Sequence, residues 1–375
     1  MYLQKLSVVN FKNYEQADLN FSEKINCFVG DNGSGKTNLL DAIHYLSFCK
    51  SYFNPIDSQN ILHGAPFFAT HGTYSKNGNQ TDLISCIQKR NQKKQFKLNK
   101  KLYERLADHI GLYPLVMISP YDRDMINSGS EIRRKYIDSV ISQFDKIYLD
   151  DLINYNKALA QRNALLKQFA EKRYFESASL EIWDEQMIRL GESIHAKRLE
   201  FLEKLIPIFQ NYFEFVTGGK ERVGIDYESQ LNSGDYKYQL EDAISRDKVV
   251  QYSTIGIHKD DISFSIDGYP VKKFGSQGQQ KSFVVAVKLA QFDYTKQIIG
   301  FKPVLLLDDI FDKLDDFRVE QLIKLVSDNS FGQVFITDTQ NERIARIFKN
   351  ISIDHIIYQI KDGQLNEIPN SAILQ

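Results

Sequence analysis

The residues of this sequence that most plainly imply chemistry are Gly30-Asp31-Asn32-Gly33-Ser34-Gly35-Lys36-Thr37. They satisfy GxxxxGK[ST] in full, with an apolar run before them and an amphipathic stretch after. Gly30 and Gly35 let the backbone fold around phosphates, and the amides that open the following helix point at them, where the helix dipole favours negative charge. Lys36 is expected to reach the β and γ phosphates and the Thr37 hydroxyl to hold Mg²⁺. The whole segment 30–37 therefore reads as the cradle for ATP.

The other half of such a site is a buried strand that ends in carboxylates, and Val304-Leu305-Leu306-Leu307-Asp308-Asp309 has that form. Asp308 is expected to complete the Mg²⁺ shell through water, and Asp309 to polarise the attacking water. ABC-type ATPases usually carry Glu at the second position; Asp is one methylene shorter, which implies slow hydrolysis. A third element, Gly275-Ser276-Gln277-Gly278-Gln279-Gln280-Lys281-Ser282, leads into an apolar helix. It resembles the ABC signature, in which the serine hydroxyl and the helix N-terminus clamp the γ-phosphate bound by a second subunit. A Ser-Gln-Gly turn alone is a common helix cap. Between a phosphate loop and a carboxylate strand, Ser276, Gln277 and Gly278 read as catalytic and nucleotide-contacting residues acting in trans. Leu314-Asp315 then fall at the position of the D-loop.

Positioning these groups calls for a sheet with strand ends gathered at one edge. Short strand patterns run from Met1 to Val29, ending in the continuous apolar run Ile25 to Val29, and residues 65 to 118 continue as strands and turns with Asn77-Gly78 as a hairpin signal. Between about Glu131 and Phe215 the period becomes helical, with Ile137, Val140, Ile141 and Phe144 on one face and Ile188, Ile194, Leu199, Leu202 and Leu205 on others. Strand character returns from about Gly256. The expectation is an α/β fold, an ABC/SMC-type ATPase head with an inserted helical arm: residues 1–125 and 251–375 form the head and 126–250 the arm.

Composition sets the outer limits. A chain of 375 residues with 42% hydrophobic and 25% charged residues can bury a large core without disulfides or a structural metal. The longest apolar runs are strand-sized, too short to span a bilayer. The opening MYLQKLSVVNFKNY lacks the features of an export signal, so a cytoplasmic protein is expected. Cys27, Cys49 and Cys86 lie far apart with no ligand spacing and read as structural thiols. A net charge of −1 means that any nucleic-acid contact must come from local patches. One candidate is the acid-free run 88–101, with Lys89, Arg90, Lys93, Lys94, Lys97, Lys100 and Lys101; another is Arg133, Arg134 and Lys135. Either could hold phosphates without reading bases, and either could equally be a solvated face.

Further segments coincide with these landmarks: Asn10-Phe11-Lys12-Asn13-Tyr14, Ser119-Pro120-Tyr121-Asp122, Arg133-Arg134, Trp183-Asp184 and Gly256-Ile257-His258-Lys259-Asp260-Asp261. Together with the signature they resemble the RecF family over nearly the whole chain. That resemblance implies an ATP-dependent homodimer that binds single-stranded DNA and gapped or junction duplex. It implies work in DNA repair, replication and the SOS response with the mediator RecR, and indirectly RecO and RecA, and a weak DNA-stimulated ATPase that acts as a switch. Lys12 stands where related heads often have an Arg approaching the phosphates, keeping charge but not the planar fork. Lys259 replaces a common Arg, no Gln marks a Q-loop, for which Ser119 to Asp122 is the substitute, and Thr337 and Asp338 stand where many ABC proteins have a switch His. A transporter subunit would hold Lys36 and Ser276 much closer in sequence, and a full SMC protein needs a far longer coiled coil. A nucleotide-gated DNA clamp or scaffold with negligible turnover remains an alternative.

Overall fold

The computed structural model describes residues 1–76, 80–219, 221–311, 316–327, 330–340, 343–344, 353–361 and 363–368. Asn77-Gly78, Leu314 and the D-loop candidate Asp315 lie outside the described residues. The chain divides into two compact units, 1–122 with 287–375, and 123–286.

The first unit contains two sheets. One is antiparallel, in the order β2-β1-β4-β5-β6-β7, built from β1 (Tyr2–Phe11), β2 (Tyr14–Asn20), β4 (Phe67–Lys76), β5 (Gln80–Lys89), β6 (Gln95–Leu98) and β7 (Lys101–Leu102). The other has the order β15-β14-β3-β13-β12-β8, from β3 (Ile25–Val29), β8 (Leu115–Ile118), β12 (Val304–Leu307), β13 (Val334–Asp338), β14 (His355–Lys361) and β15 (Gln364–Ile368). Its strands pair in parallel except β15. Every residue of β3, β8, β12 and β13 is buried, as expected of parallel strands covered on both faces. The helix α1 (Lys36–Phe48) is buried nearly all round, its polar Asp41, His44 and Ser47 included. Its Leu39, Leu40, Ile43 and Leu46 share one core with Leu6 and Phe68 of the first sheet and Phe28, Leu306 and Phe335 of the second. This burial fixes the first turn of α1 at the end of β3.

The second unit is mainly helical: α2 (Asp124–Asn127), α3 (Ser130–Ile141), α4 (Lys146–Lys172), α5 (Ser177–Thr217) and α6 (Tyr236–Val250). Asp145 caps α4 by accepting from the Tyr148 amide at 2.9 Å, and Arg173, in the left-handed region, ends it. The small sheet β11-β10-β9 combines β9 (Val223–Glu228), β10 (Asp261–Ile266) and β11 (Tyr269–Pro270). Pairing of Ile262 with Tyr227 keeps residues 251–274 in this unit, whereas the sequence pattern returns them to the head. The short α7 (Val271–Phe274) and α8 (Gln277–Ile299) follow, and α9 (Asp316–Ser327) comes after β12. No helix among the described residues is long and apolar enough to cross a membrane.

Candidate nucleotide site

Residues 30–37 form the turn from β3 into α1. Gly30, Gly33 and Gly35 all have positive φ, and at Gly30 (φ 156°) a side chain would meet the Ile360 carbonyl oxygen at 2.3 Å. The Lys36 ammonium lies inside the loop and donates to the carbonyls of Gly30 at 2.7 Å and Asp31 at 2.9 Å. A cation held over the loop by backbone oxygens suits an anionic ligand. Among the described residues the buried Ser34 hydroxyl has no hydrogen-bond partner, so the loop retains a donor for an anion.

The carboxylate strand meets this loop directly. The Thr37 hydroxyl donates to Asp308 Oδ1 at 2.8 Å, and Thr337 Oγ1, on β13, donates to the same oxygen at 2.9 Å. Ser119, just beyond β8, donates more weakly to Oδ2 at 3.4 Å. Burial raises the Asp308 carboxyl to about 6, opposed by the hydrogen bonds from Thr37 and Thr337 and assisted by the nearby charge of Asp309. Asp309 turns away from the strand in the left-handed region (φ 42°), with its amide donating to Thr337 Oγ1 at 2.8 Å. Thr37 and Asp308 supply the hard oxygen donors that Mg²⁺ takes alongside substrate phosphates. By sequence Thr337 marks only the position of a switch His; no motif indicates that this threonine bridges the two aspartates.

The turn between β1 and β2 closes on the start of α1. Asn13 Nδ2 donates to the Ser34 carbonyl at 3.2 Å, and Asn38 Nδ2 donates to Asn13 Oδ1 at 2.7 Å. A side chain at Gly35 would meet Asn13 Nδ2 at 2.5 Å and the Tyr14 hydroxyl at 2.7 Å. Lys12, expected to approach phosphates, forms an ion pair with buried Asp41 of α1 at 2.6 Å. Residues 38 and 41 stand on one helix face, so the turn grips α1 along that face.

In the second unit, Ser276 caps α8 reciprocally. Its Oγ accepts from the Gln279 amide at 3.2 Å, and its own amide donates to Gln279 Oε1 at 2.7 Å. Ser276 and Gln277 are exposed and Gly278 is half-buried, which leaves this helix N-terminus open to a ligand. Glu221 holds Gln279 from the side at 2.6 Å.

The basic candidates divide. Lys89 and Lys93 are exposed and Lys97 half-buried on β6, while Arg90 is exposed and donates to the Ala65 carbonyl at 3.1 Å. Lys94 is instead committed inward, to Asp57 at 2.7 Å and the Cys49 carbonyl at 2.6 Å. Arg133 makes two bonds to Asp261, at 2.7 and 2.9 Å, and Arg134 donates to the Asp260 carbonyl at 2.5 Å. Arg133 is thus tied to β10 by a carboxylate and Arg134 to the backbone just before that strand, which leaves each with fewer donors for phosphate.

The same region explains two of the sequence segments as architecture. Arg162 is fully buried between Asp184 at 2.5 Å and Asp247 at 2.6 Å. Arg198 joins Asp138 at 2.9 Å to Asp260 at 2.8 Å. His258 accepts or donates to the Tyr155 hydroxyl at 2.9 Å, and burial lowers it to about 4, so it is neutral at physiological pH. At Gly256 a side chain would meet the hydroxyls of Tyr236 at 2.2 Å and Tyr155 at 2.4 Å. Helical periodicity records apolar faces and is blind to such buried ionic layers.

A phosphate loop against a parallel carboxylate strand, with an inserted unit that carries a serine-capped helix, defines a P-loop ATPase head of the ABC/SMC class. The RecF/RecN/SMC N-terminal domain family matches residues 2–359. The DNA replication and repair protein RecF of Phocaeicola vulgatus is 50% identical over 368 residues, covering 98% of both chains. That of Flavobacterium johnsoniae is 51% identical over 360 residues, covering 96% of this chain and 100% of its own. A solved structure of the recombination mediator protein RecF with ATP, in the RecFOR pathway, superposes with a TM-score of 0.87 at 30% identity, covering 98% of this chain and 99% of that one. The chain belongs to the RecF family.

Proposed function

We propose that this protein is an ATP-gated, DNA-binding dimer of recombinational repair and replication restart, with hydrolysis as its release step. The observation that supports it most is the convergence of Lys36, Thr37, Asp308 and Asp309 at one edge of the parallel sheet. ATP takes the Lys36 ammonium from neutral carbonyls to phosphate oxygens, and the loop amides complete the cradle. Thr37 and Asp308 would hold Mg²⁺, which would supply charge neutralisation to the bound triphosphate. Asp309 orients and polarises the attacking water; its short side chain makes turnover slow. Ser276 clamps the γ-phosphate held by the second subunit, so nucleotide occupancy and dimer stability are linked.

The solved structure of RecF with ATP in the RecFOR pathway supports a matching role for this chain, acting in the cytoplasm on single-stranded, gapped or junction DNA, with RecR as direct partner and RecO and RecA beyond it. Exposed Lys89, Arg90 and Lys93 offer local charge for sequence-independent phosphate contact. Measuring ATP turnover and oligomeric state together, with and without gapped DNA, tests this reading. ATP-dependent dimers whose slow turnover rises on gapped DNA support it; dimers with no turnover favour the scaffold alternative; no ATP binding removes it.

A further inference from the structure

Behind the phosphate site, within the first unit, a second layer of buried polar groups is joined into one network. Asp122 is 5% exposed. Its Oδ1 accepts the Tyr52 hydroxyl and lies 2.9 Å from the equally buried Lys288 ammonium, while its Oδ2 accepts the Ser119 amide at 2.7 Å. Lys288 Nζ also donates to the Tyr52 hydroxyl at 3.2 Å. Ser119 in turn donates its hydroxyl to Asp308 Oδ2. On the opposite side the Tyr52 amide donates to Asp41 Oδ1 at 2.7 Å, the carboxylate that also holds Lys12.

A buried carboxylate and ammonium add little net stability over an apolar pair of the same volume, so their presence asks for another role. The geometry offers one. Both oxygens of Asp308 are engaged: Oδ1 by Thr37 and Thr337, Oδ2 by Ser119. A carboxylate held on both sides cannot turn about its own bond, and such outer contacts set the direction of a functional ligand. Ser119 is kept in place by Asp122 through its backbone, and Asp122 by Tyr52 and Lys288.

We propose that Asp122, fixed by Tyr52 and Lys288, is a positioning residue that seats Ser119 on Asp308 and so keeps Oδ1 turned toward Thr37. This rests on the nucleotide-site reading above and names the residues that take over the task of the missing Q-loop glutamine. It predicts that the network governs the hydrolytic step and leaves ATP affinity to the phosphate loop.

The test compares Ser119→Ala, the pair Asp122→Ala with Lys288→Met, and the triple variant, each for melting temperature, ATP affinity and single-turnover hydrolysis at saturating ATP and Mg²⁺. Removing both charges together avoids leaving one buried alone. The expected result is ATP affinity within about twofold of wild type, hydrolysis slowed about 10- to 100-fold in Ser119→Ala and in the pair, and no further loss in the triple variant. Wild-type turnover in the pair, multiplicative losses in the triple variant, or loss of ATP binding by a folded pair each overturns the proposal. Should the pair fail to fold, Tyr52→Phe, which keeps both charges, carries the test, and an unchanged rate overturns it. If wild type binds ATP no better than Lys36→Met, the nucleotide-site reading itself fails, an outcome distinct from normal wild-type binding with an unimpaired pair.

Discussion

Replacing Gly35 by alanine makes two demands on the phosphate loop at once. Gly35 has φ 112° and ψ 4°, a conformation that costs an L-residue about 1–3 kcal/mol. The new methyl would also stand 2.5 Å from Asn13 Nδ2 and 2.7 Å from the Tyr14 hydroxyl. Tyr14 is 1% exposed and cannot swing aside, so overpacking adds about 1–3 kcal/mol. The lower end of the sum, about 2 kcal/mol, corresponds to roughly 30-fold in ATP affinity if the loop shifts to relieve the strain. Titration with ATP beside a thermal melt separates lost affinity from lost stability. The variant Gly35→Ala with Asn13→Ala removes the closer contact but not the backbone strain, and should recover part of the loss. Binding by Gly35→Ala within about threefold of wild type, at unchanged melting temperature, would refute the loop geometry.

Asp309→Asn should keep ATP binding and prolong the dimer while hydrolysis falls about 100-fold or more, measured by single turnover beside dimer lifetime; a normal rate would move the base elsewhere. Arg198→Met leaves Asp138 and buried Asp260 without their shared cation and should destabilise the second unit by about 3–5 kcal/mol in urea unfolding; a change below about 1 kcal/mol contradicts the buried ionic layer. The Asp308 carboxyl is raised to about 6 in the fold, against about 3.9 when unfolded. The folded state therefore binds the extra proton between those values, and Asp308's contribution to stability declines as pH rises from about 4 to 6, then levels. Asp308→Asn removes this dependence, so its stability relative to wild type should grow through that window in denaturant titrations; a difference independent of pH rules out the shifted carboxyl.

The phosphate loop and the carboxylate strand were legible because each needs several residue types in fixed order: glycines that adopt positive φ, Lys36 and Thr37 at the helix start, and a wholly apolar run before Asp308. The inserted arm was legible as helical periodicity, but its extent was not. Residues 251–274 look like a return to the head until β10 is seen to pair with β9. Arg133 and Lys94 read as surface charge in the sequence, since their acidic partners Asp261 and Asp57 are distant or in another segment and carry no signal of pairing; Arg134 is held by the Asp260 carbonyl, which leaves no trace in the sequence at all. Thr337 is the same case within the site: its bond to Asp308 comes from neighbouring parallel strands, β12 and β13, which only the register reveals.

The central claim, a composite ATP site shared between two copies, is tested most directly by mixing two inactive variants. Ser276→Arg keeps its own phosphate loop and should bind ATP without dimerising or hydrolysing it; Lys36→Met keeps the signature and should not bind. A mixed dimer has one site with both elements intact and one with both broken. The account predicts that neither variant alone hydrolyses ATP and that mixing restores part of the wild-type turnover. No recovery on mixing, with both variants folded and Ser276→Arg still binding ATP, contradicts it.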